Sequence, residues 1–416
     1  MPSLTNGEEG LIYQFKNCKL LKEHDIIRDD LWVRNGVILN PEKLFFDEKA
    51  YADVQIDCND AIISAGFIDV QINGASGVDF SLLSDDIEKD VTTVSRLMLE
   101  HGVTSYCPTI VTSPVEVYKK VVPRIQKCNG SRRGAGILGL HLEGPFINKQ
   151  KKGAHPEDLI CSFDGGFEDV MAVYGQLDNV AIVTIAPEKP RSPEIIQELV
   201  KRGIVVSVGH SVANLVDGEE AVRSGASFIT HLFNAMLPFH HRDPHLMGLL
   251  GSKKIEGKFV YFGLIADGIH THPAALRIAH RVHPEGLVLV TDAMAAMGLS
   301  SGTHTIGQQK VEIINQTKAV LAGTDTLAGS IITMDQCVRK FLKSAGCTKV
   351  QTLEAATLHP AQLLNITDRK GTLEYGTDAD FVILDEDLNV QATYIAGELV
   401  WDSPGFPERK ETKIVD

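Results

Sequence analysis

Eight short apolar runs alternate with longer segments of helical period across residues 61–364 of this chain. The runs are 62–71, 103–107, 137–143, 180–186, 204–210, 228–231, 260–267 and 287–292. Apolar side chains at successive positions, rather than every second one, mark strands buried on both faces, which is the texture of a parallel sheet covered by helices. The helical segments include 86–101, 193–202, 273–282 and 333–345. Eight such alternations over about 250–300 residues predict an α/β chain folded as a (β/α)8 TIM-like barrel. A doubly wound open sheet is the alternative, but no Gly-rich phosphate fingerprint follows the first run.

The two ends of the chain share a different texture. Residues 1–60 are β-like, with a turn at Arg34-Asn35-Gly36-Val37 and alternation through 53–58. Residues 365–405 repeat it at 371–373, 379–385 and 392–401. The expected organisation is therefore a discontinuous small β-sandwich domain from 1–60 and 365–405, a (β/α)8 barrel over 61–364, and a loosely ordered tail over 406–416.

Bulk properties narrow the partners. A formal net charge of −14 argues against nucleic acid, whose phosphates call for a basic face. No apolar stretch approaches the ~20 residues of a membrane span, and the start, Met1-Pro2-Ser3-Leu4, lacks a signal pattern. A cytoplasmic protein with no membrane partner is expected. Seven cysteines without a CxxC pair speak against a disulfide framework or a thiolate zinc site.

Four runs end on residues that bind metals or move protons: Glu143, His210, His231 and Asp292. In a barrel the C-terminal strand ends share one rim, so these distant positions would meet in one pocket. Two histidines and a carboxylate form a ligand set for a catalytic zinc that keeps an open position. His210 and His231 are 21 residues apart, about one helix and two loops, which suits adjacent strands. A strand-end histidine alone is more often a hydrogen-bonded core residue than a ligand; three ligand types ending three strands favour ligands. Asp292 has two readings, a proton acceptor beside the metal or the N-cap of a following segment. His141, on the same strand face as Glu143, either orients a ligand or fills the barrel interior.

The segment Ala65-Gly66-Phe67-Ile68-Asp69-Val70-Gln71-Ile72-Asn73-Gly74 resembles the first-strand motif of the amidohydrolase superfamily, with Gln71 and Asn73 where most members carry a metal-binding His-x-His. Together with His141-Leu142-Glu143-Gly144-Pro145-Phe146, Gly153-Ala154-His155, Val208-Gly209-His210-Ser211 and Thr230-His231-Leu232-Phe233-Asn234-Ala235-Met236, it resembles the branch that deacetylates N-acetylglucosamine 6-phosphate. The likeness spans nearly the whole chain, including the returning β motif at 376–381. Ala65 stands where superfamily members usually have proline.

That resemblance implies one divalent metal ion, zinc being favoured with iron, manganese and cobalt compatible, held by Glu143, His210 and His231. It implies Asp292 as the proton carrier and His155 beside the acetyl carbonyl. Ala154, Asn234, Ala235, Arg242 and His270 are implied substrate contacts, with Leu327, Ala328 and Gly329 in a loop closing over the sugar. A homodimer is implied, Arg242 reaching the neighbouring site. Without the resemblance, His240-His241-Arg242 reads as a solvated loop, and the segment 270–273 as a helix cap. The alternatives are an amidohydrolase acting on another N-acetyl sugar phosphate or a cyclic amide, or a non-catalytic scaffold. Gln71-Ile72-Asn73 with Asn234-Ala235-Met236 favours N-acetylglucosamine 6-phosphate over these alternatives, and the four strand-end residues argue against the scaffold.

Overall fold

The computed structural model describes residues 10–306, 309–406 and 412–413. Most of the tail expected over 406–416, and the first nine residues, lie outside the described residues. The central sheet is parallel and runs, strand by strand, Phe67–Ile72, Val103–Val111, Leu140–Glu143, Val180–Ile185, Val205–Val208, Phe228–Ile229, Tyr261–Leu264 and Leu287–Leu289. The eighth strand returns to the first through a parallel bridge between Ile72 and Ala293, which makes the sheet a nearly closed barrel. Its strands are buried along almost their whole length, as their uninterrupted apolar runs require.

Helices cover the outside after seven of the strands. The first, Ile87–Glu100, is capped by Asp86, whose side chain accepts from Lys89 N at 3.0 Å. Helix Leu215–Ser224 begins with a reciprocal capping box between Asn214 and Asp217 and ends at Gly225 in the left-handed region. After the sixth strand the outer position is taken by a 3-10 segment, His245–Gly251. Pro244, Gly248 and Gly251 there deny an α-helix the propensity it needs.

Both termini fold into a second sheet of nine strands. Its long members, Tyr13–Lys22 and Val54–Ala65, pair in parallel with an irregularity between Lys16 and Cys18. There Asn17 and, opposite it, Asn59 and Asp60 take positive φ, and Tyr13–Lys22 changes partner from Leu31–Arg34 to Asp25–Arg28. The bend lets Phe15 of one layer meet Phe381 and Tyr394 of the other at ring separations of 5.0 and 5.1 Å, edge contacts contributing about 0.5–1.5 kcal/mol each beyond burial. Thr412–Lys413 pairs with Val54–Gln55, so the chain beyond 406 comes back to this sheet.

The apolar run 62–71 is two strands. Residues up to Ala65 belong to the terminal sheet, where Ile62 to Ala65 face Leu384 to Phe381; the barrel begins at Phe67. Gly66 makes the passage possible, because a Cβ there would lie 2.1 Å from the Thr104 hydroxyl.

Candidate active site

The barrel's C-terminal rim gathers the strand-end residues. His210 Nε2 and His231 Nε2 each lie 3.0 Å from Glu143 Oε1 and 3.0 Å from one another. The three atoms form a triangle of electron-pair donors supplied by the third, fifth and sixth strands, and all three residues are buried. Such donors tolerate this spacing only with a proton or a cation between them. Burial pushes the Glu143 carboxyl up, but hydrogen bonds from the two histidines outweigh it and hold the group well below its usual range. Burial likewise lowers His231, and the hydrogen bond and charge of Glu143 overcome it, leaving the imidazole raised to about 9. His231 thus keeps a proton on the very lone pair a metal would use.

His210, His231 and Asp292 have φ of +47°, +25° and +45°. L-residues avoid this region at a cost of about 1–3 kcal/mol each, and such strain persists only where surrounding contacts over-determine it. Here it turns three side chains from the strand direction into the mouth of the barrel. Asp292 caps no helix; its backbone N–H donates to Gln71 O at 2.9 Å, stitching the last strand to the first. Its Oδ1 accepts from Asn73 Nδ2 at 2.8 Å and from Gln71 Nε2 at 3.3 Å. Burial first, then the Glu143 charge, raises the Asp292 carboxyl to about 6, against the lowering effect of His231 and Asn73.

His155 packs its ring 4.5 Å from that of His210 and offers a nitrogen within 4.8 Å of the ligand atoms of Glu143 and His210. Those three form a second, overlapping candidate metal group. The hydrogen bonds decide between the two. Thr112 presents both its backbone N–H, at 3.3 Å, and its hydroxyl, at 2.7 Å, to His155 Nδ1. An N–H can only donate, so the network assigns the ring proton to Nε2 and leaves His155 a donor rather than a ligand. Burial and the neighbouring His210 charge depress this ring to about 3, so it stays neutral. Gly144 supplies the room: at φ +82°, it would put a Cβ 2.3 Å from the Thr112 hydroxyl.

Below the ligands the barrel interior is polar, where branched aliphatics are usual. His141 Nδ1 donates to Val70 O at 3.0 Å, so its Nε2 accepts from Thr184 Oγ1 at 2.7 Å. Thr184 continues to Thr230 at 2.8 Å, and Thr230 to Ser207 at 2.5 Å. Asp69 accepts from the Thr291 hydroxyl at 2.5 Å, immediately before Asp292. His141 therefore fills the interior and ties the first strand to the third and fourth.

The remaining sequence-derived positions lie around this mouth. Ala154 is exposed on the turn before His155. Asn234 and Ala235 follow His231, with Asn234 N donating to His231 O at 2.9 Å and Ala235 O accepting from Ser211 N at 3.1 Å. His270 Nδ1 meets Asp267 Oδ2 at 2.5 Å, and Asp267 Oδ1 also accepts the backbone N–H of Ile269 and His270. His272 caps the next helix, accepting from Ala274 N at 3.1 Å. Leu327–Gly329 is the last strand of a four-stranded antiparallel sheet inserted after Asp292, and the adjoining Ser330 bridges back to Ala293. Arg242 is exposed, on the loop after the sixth strand.

Thr112 escaped the sequence reading because the second run was closed at Cys107, before Pro108. Proline is rare inside a strand, yet this strand continues to Val111 and delivers Thr112 to the rim. Glu188 escaped as well, although it follows an apolar run that closes on Ala186-Pro187.

Among the described residues no helix is long and apolar enough to cross a membrane. Residues 62–400 match the amidohydrolase family. The chain is 60% identical over 403 residues to the N-acetylglucosamine-6-phosphate deacetylase of Danio rerio, covering 96% of this chain and 100% of that one. It is also 60% identical over 403 residues to the Homo sapiens protein of the same name, covering 95% and 98%. Among solved structures, a mutant N-acetyl-D-glucosamine-6-phosphate deacetylase from Mycobacterium smegmatis, in complex with N-acetyl-D-glucosamine-6-phosphate, superposes with a TM-score of 0.78 at 31% identity, covering 94% of this chain and 100% of that one.

Proposed function

The chain belongs to the amidohydrolase family, and from that premise we propose the reaction and the residues that carry it out. It hydrolyses the acetamido group of N-acetylglucosamine 6-phosphate, giving glucosamine 6-phosphate and acetate. The observation that carries the assignment of roles is the 3.0 Å triangle of Glu143, His210 and His231 with Asp292 on the closing strand.

Glu143, His210 and His231 would hold one divalent cation, and zinc suits two imidazoles and a carboxylate. When bound, that ion supplies Lewis acidity, making water ionise near neutral pH and polarising the acetyl oxygen. The chain's own groups do the rest. With Oδ1 engaged by Asn73 and Gln71, Asp292 has Oδ2 to take a proton from the attacking water. The same carboxyl then returns it to the sugar nitrogen as the C–N bond breaks, which an amine needs in order to leave. His155 donates Nε2–H to the acetyl oxygen as negative charge develops there.

Asn234, Ala235, Arg242 and His270 hold the sugar phosphate, with Ala154 beside the acetyl group and Leu327, Ala328 and Gly329 over the ring. Binding energy from the phosphate, remote from the amide, fixes the reacting carbon against Asp292 and His155. Arg242, exposed on its own subunit, serves the neighbouring site of a homodimer. The protein works in the cytoplasm on a soluble sugar phosphate.

The test is acetate release by the metal-replete protein from N-acetylglucosamine 6-phosphate, the unphosphorylated sugar and the galactosamine epimer. The phosphorylated glucosamine substrate should be turned over at least tenfold more efficiently than either other compound. Equal turnover of the epimer would transfer the assignment to the broader sugar-phosphate reading, and protein that takes up no metal when it is supplied and releases no acetate would favour a scaffold.

A further inference from the structure

We propose that Glu188 is a positioning residue for His210, gripping both the backbone that follows this ligand and the loop that fixes its tautomer. The inference rests on His210 being a metal ligand, as proposed above. Glu188 stands three residues beyond the fourth barrel strand, Val180–Ile185, and among the described residues no hydrogen bond joins it to Glu143, His210 or His231.

One arm reaches forward along the chain from His210. Glu188 Oε2 accepts the Ser211 hydroxyl at 2.6 Å, and Oε1 accepts the Val212 backbone N–H at 2.9 Å. Ser211 and Val212 directly follow His210, whose φ of +47° needs support from outside. The second arm crosses to the loop after the third strand. Asn148 Nδ2 donates to the same Oε1 at 2.9 Å. Asn148 in turn donates its backbone N–H to His210 O at 2.8 Å. It closes the short turn Lys149–Lys151 by accepting Gln150 N on its side chain and Lys151 N on its carbonyl.

That turn presents Lys151 O to His210 Nδ1 at 2.9 Å. A carbonyl can only accept, so Nδ1 keeps its proton and Nε2 is the nitrogen left to a cation beside Glu143 and His231. The partner of a ligand's distal nitrogen fixes ring orientation and basicity, and its loss commonly weakens metal binding by about 10–100-fold. Glu188 is one step further out, and it holds that partner and the strained backbone together. Glutamine can reproduce the grip: its carbonyl accepts from Val212 and Asn148, and its amide donates to Ser211, whose hydroxyl can reverse.

The experiment measures zinc affinity by chelator competition on metal-free wild-type, Glu188→Ala, Glu188→Gln and Asn148→Ala protein, alongside kcat and KM of the reloaded enzymes. Glu188→Ala should weaken zinc binding about tenfold or more, Asn148→Ala several-fold, and Glu188→Gln less than threefold. Should Glu188→Ala fail to fold, Asn148→Ala, which cuts only one arm, still decides. Unchanged affinity in Asn148→Ala together with unchanged affinity or misfolding of Glu188→Ala overturns the proposal, as does a Glu188→Gln variant as weak as the alanine. His210→Gln separates the two readings. If it binds zinc like wild type, the ligand assignment has failed; if it loses zinc while the Glu188 variants keep theirs, only the positioning role has failed.

Discussion

Asn73 donates its side-chain amide to Asp292 Oδ1 at 2.8 Å, across the seam where the eighth barrel strand returns to the first. The place is thus given to holding Asp292, the proposed proton carrier, by one carboxylate oxygen. Gln71, two residues earlier, reaches the same oxygen at 3.3 Å. Both amides engage Oδ1 and leave Oδ2 for the proton transfer proposed above.

Removing that contact should show in the pH profile. Burial and Glu143 raise the Asp292 carboxyl to about 6, and Asn73 opposes the rise. A bound cation favours the ionised form and places the acidic limb of kcat/KM below about 6. Asn73→Ala removes a stabiliser of the ionised form, so the limb should move to higher pH, and kcat should fall about tenfold, some 1.4 kcal/mol. An unshifted limb would deny Asn73 any hold on Asp292.

Asp292→Asn is the sharper variant. Asparagine keeps the shape and an acceptor oxygen yet carries no proton in either direction. Zinc content should stay at wild-type level while kcat drops by about 10³ or more. Turnover within tenfold of wild type would remove Asp292 from proton transfer.

The four strand-end residues were legible because polarity at the end of an apolar run is a local signal, and a parallel barrel carries it to one rim. The passage at Gly66 was not, since residues 62–65 and 67–72 are equally apolar and hydropathy cannot tell two sheets apart. Pro108 hid the end of the second strand and, with it, Thr112. Glu188 was hidden for a different reason: its value lies in partners 40 and 23–24 residues away, which no periodicity encodes. The polar belt of His141, Thr184, Ser207 and Thr230 looked like scattered polar residues until the barrel closed them into contact.

Metal uptake should release a proton. In the metal-free protein His231 sits at about 9 because Glu143 stabilises its charged form, and a cation needs the same lone pair. Below that pKa the apparent affinity for zinc should rise by up to about tenfold per pH unit, flattening above about 9. Calorimetric titration in two buffers of different ionisation enthalpy reads the released proton directly. A binding enthalpy independent of buffer would mean His231 is unprotonated before the metal arrives.

Thr112 should act on kcat through His155. Thr112→Val deletes the hydroxyl that meets Nδ1 at 2.7 Å and leaves only the 3.3 Å backbone contact. With the tautomer less firmly fixed, kcat should fall about tenfold with KM nearly unchanged, and Thr112→Ser should restore most of it. In a His155→Gln background Thr112→Val should add little, because the group it orients is gone. A full additive loss there would make Thr112 a packing residue only.

Arg242 decides whether one subunit completes the site of another. Arg242→Ala should chiefly raise KM, because the arginine is proposed to bind phosphate, far from the amide. Mixing Arg242→Ala subunits with Asp292→Asn subunits, assayed at substrate well below the Arg242→Ala KM so that each is nearly inactive alone, then separates the two arrangements. If the arginine crosses the interface, a mixed dimer contains one site with an intact Asp292 and an arginine lent by its neighbour. Random exchange puts half the subunits in mixed dimers with one working site each, so activity should recover to about a quarter of wild type. If Arg242 serves its own subunit, every site in the mixture lacks one of the two groups and mixing restores nothing. Exposure of Arg242, and of Phe239 three residues earlier in the chain, favours recovery, since a guanidinium committed to its own pocket turns inward.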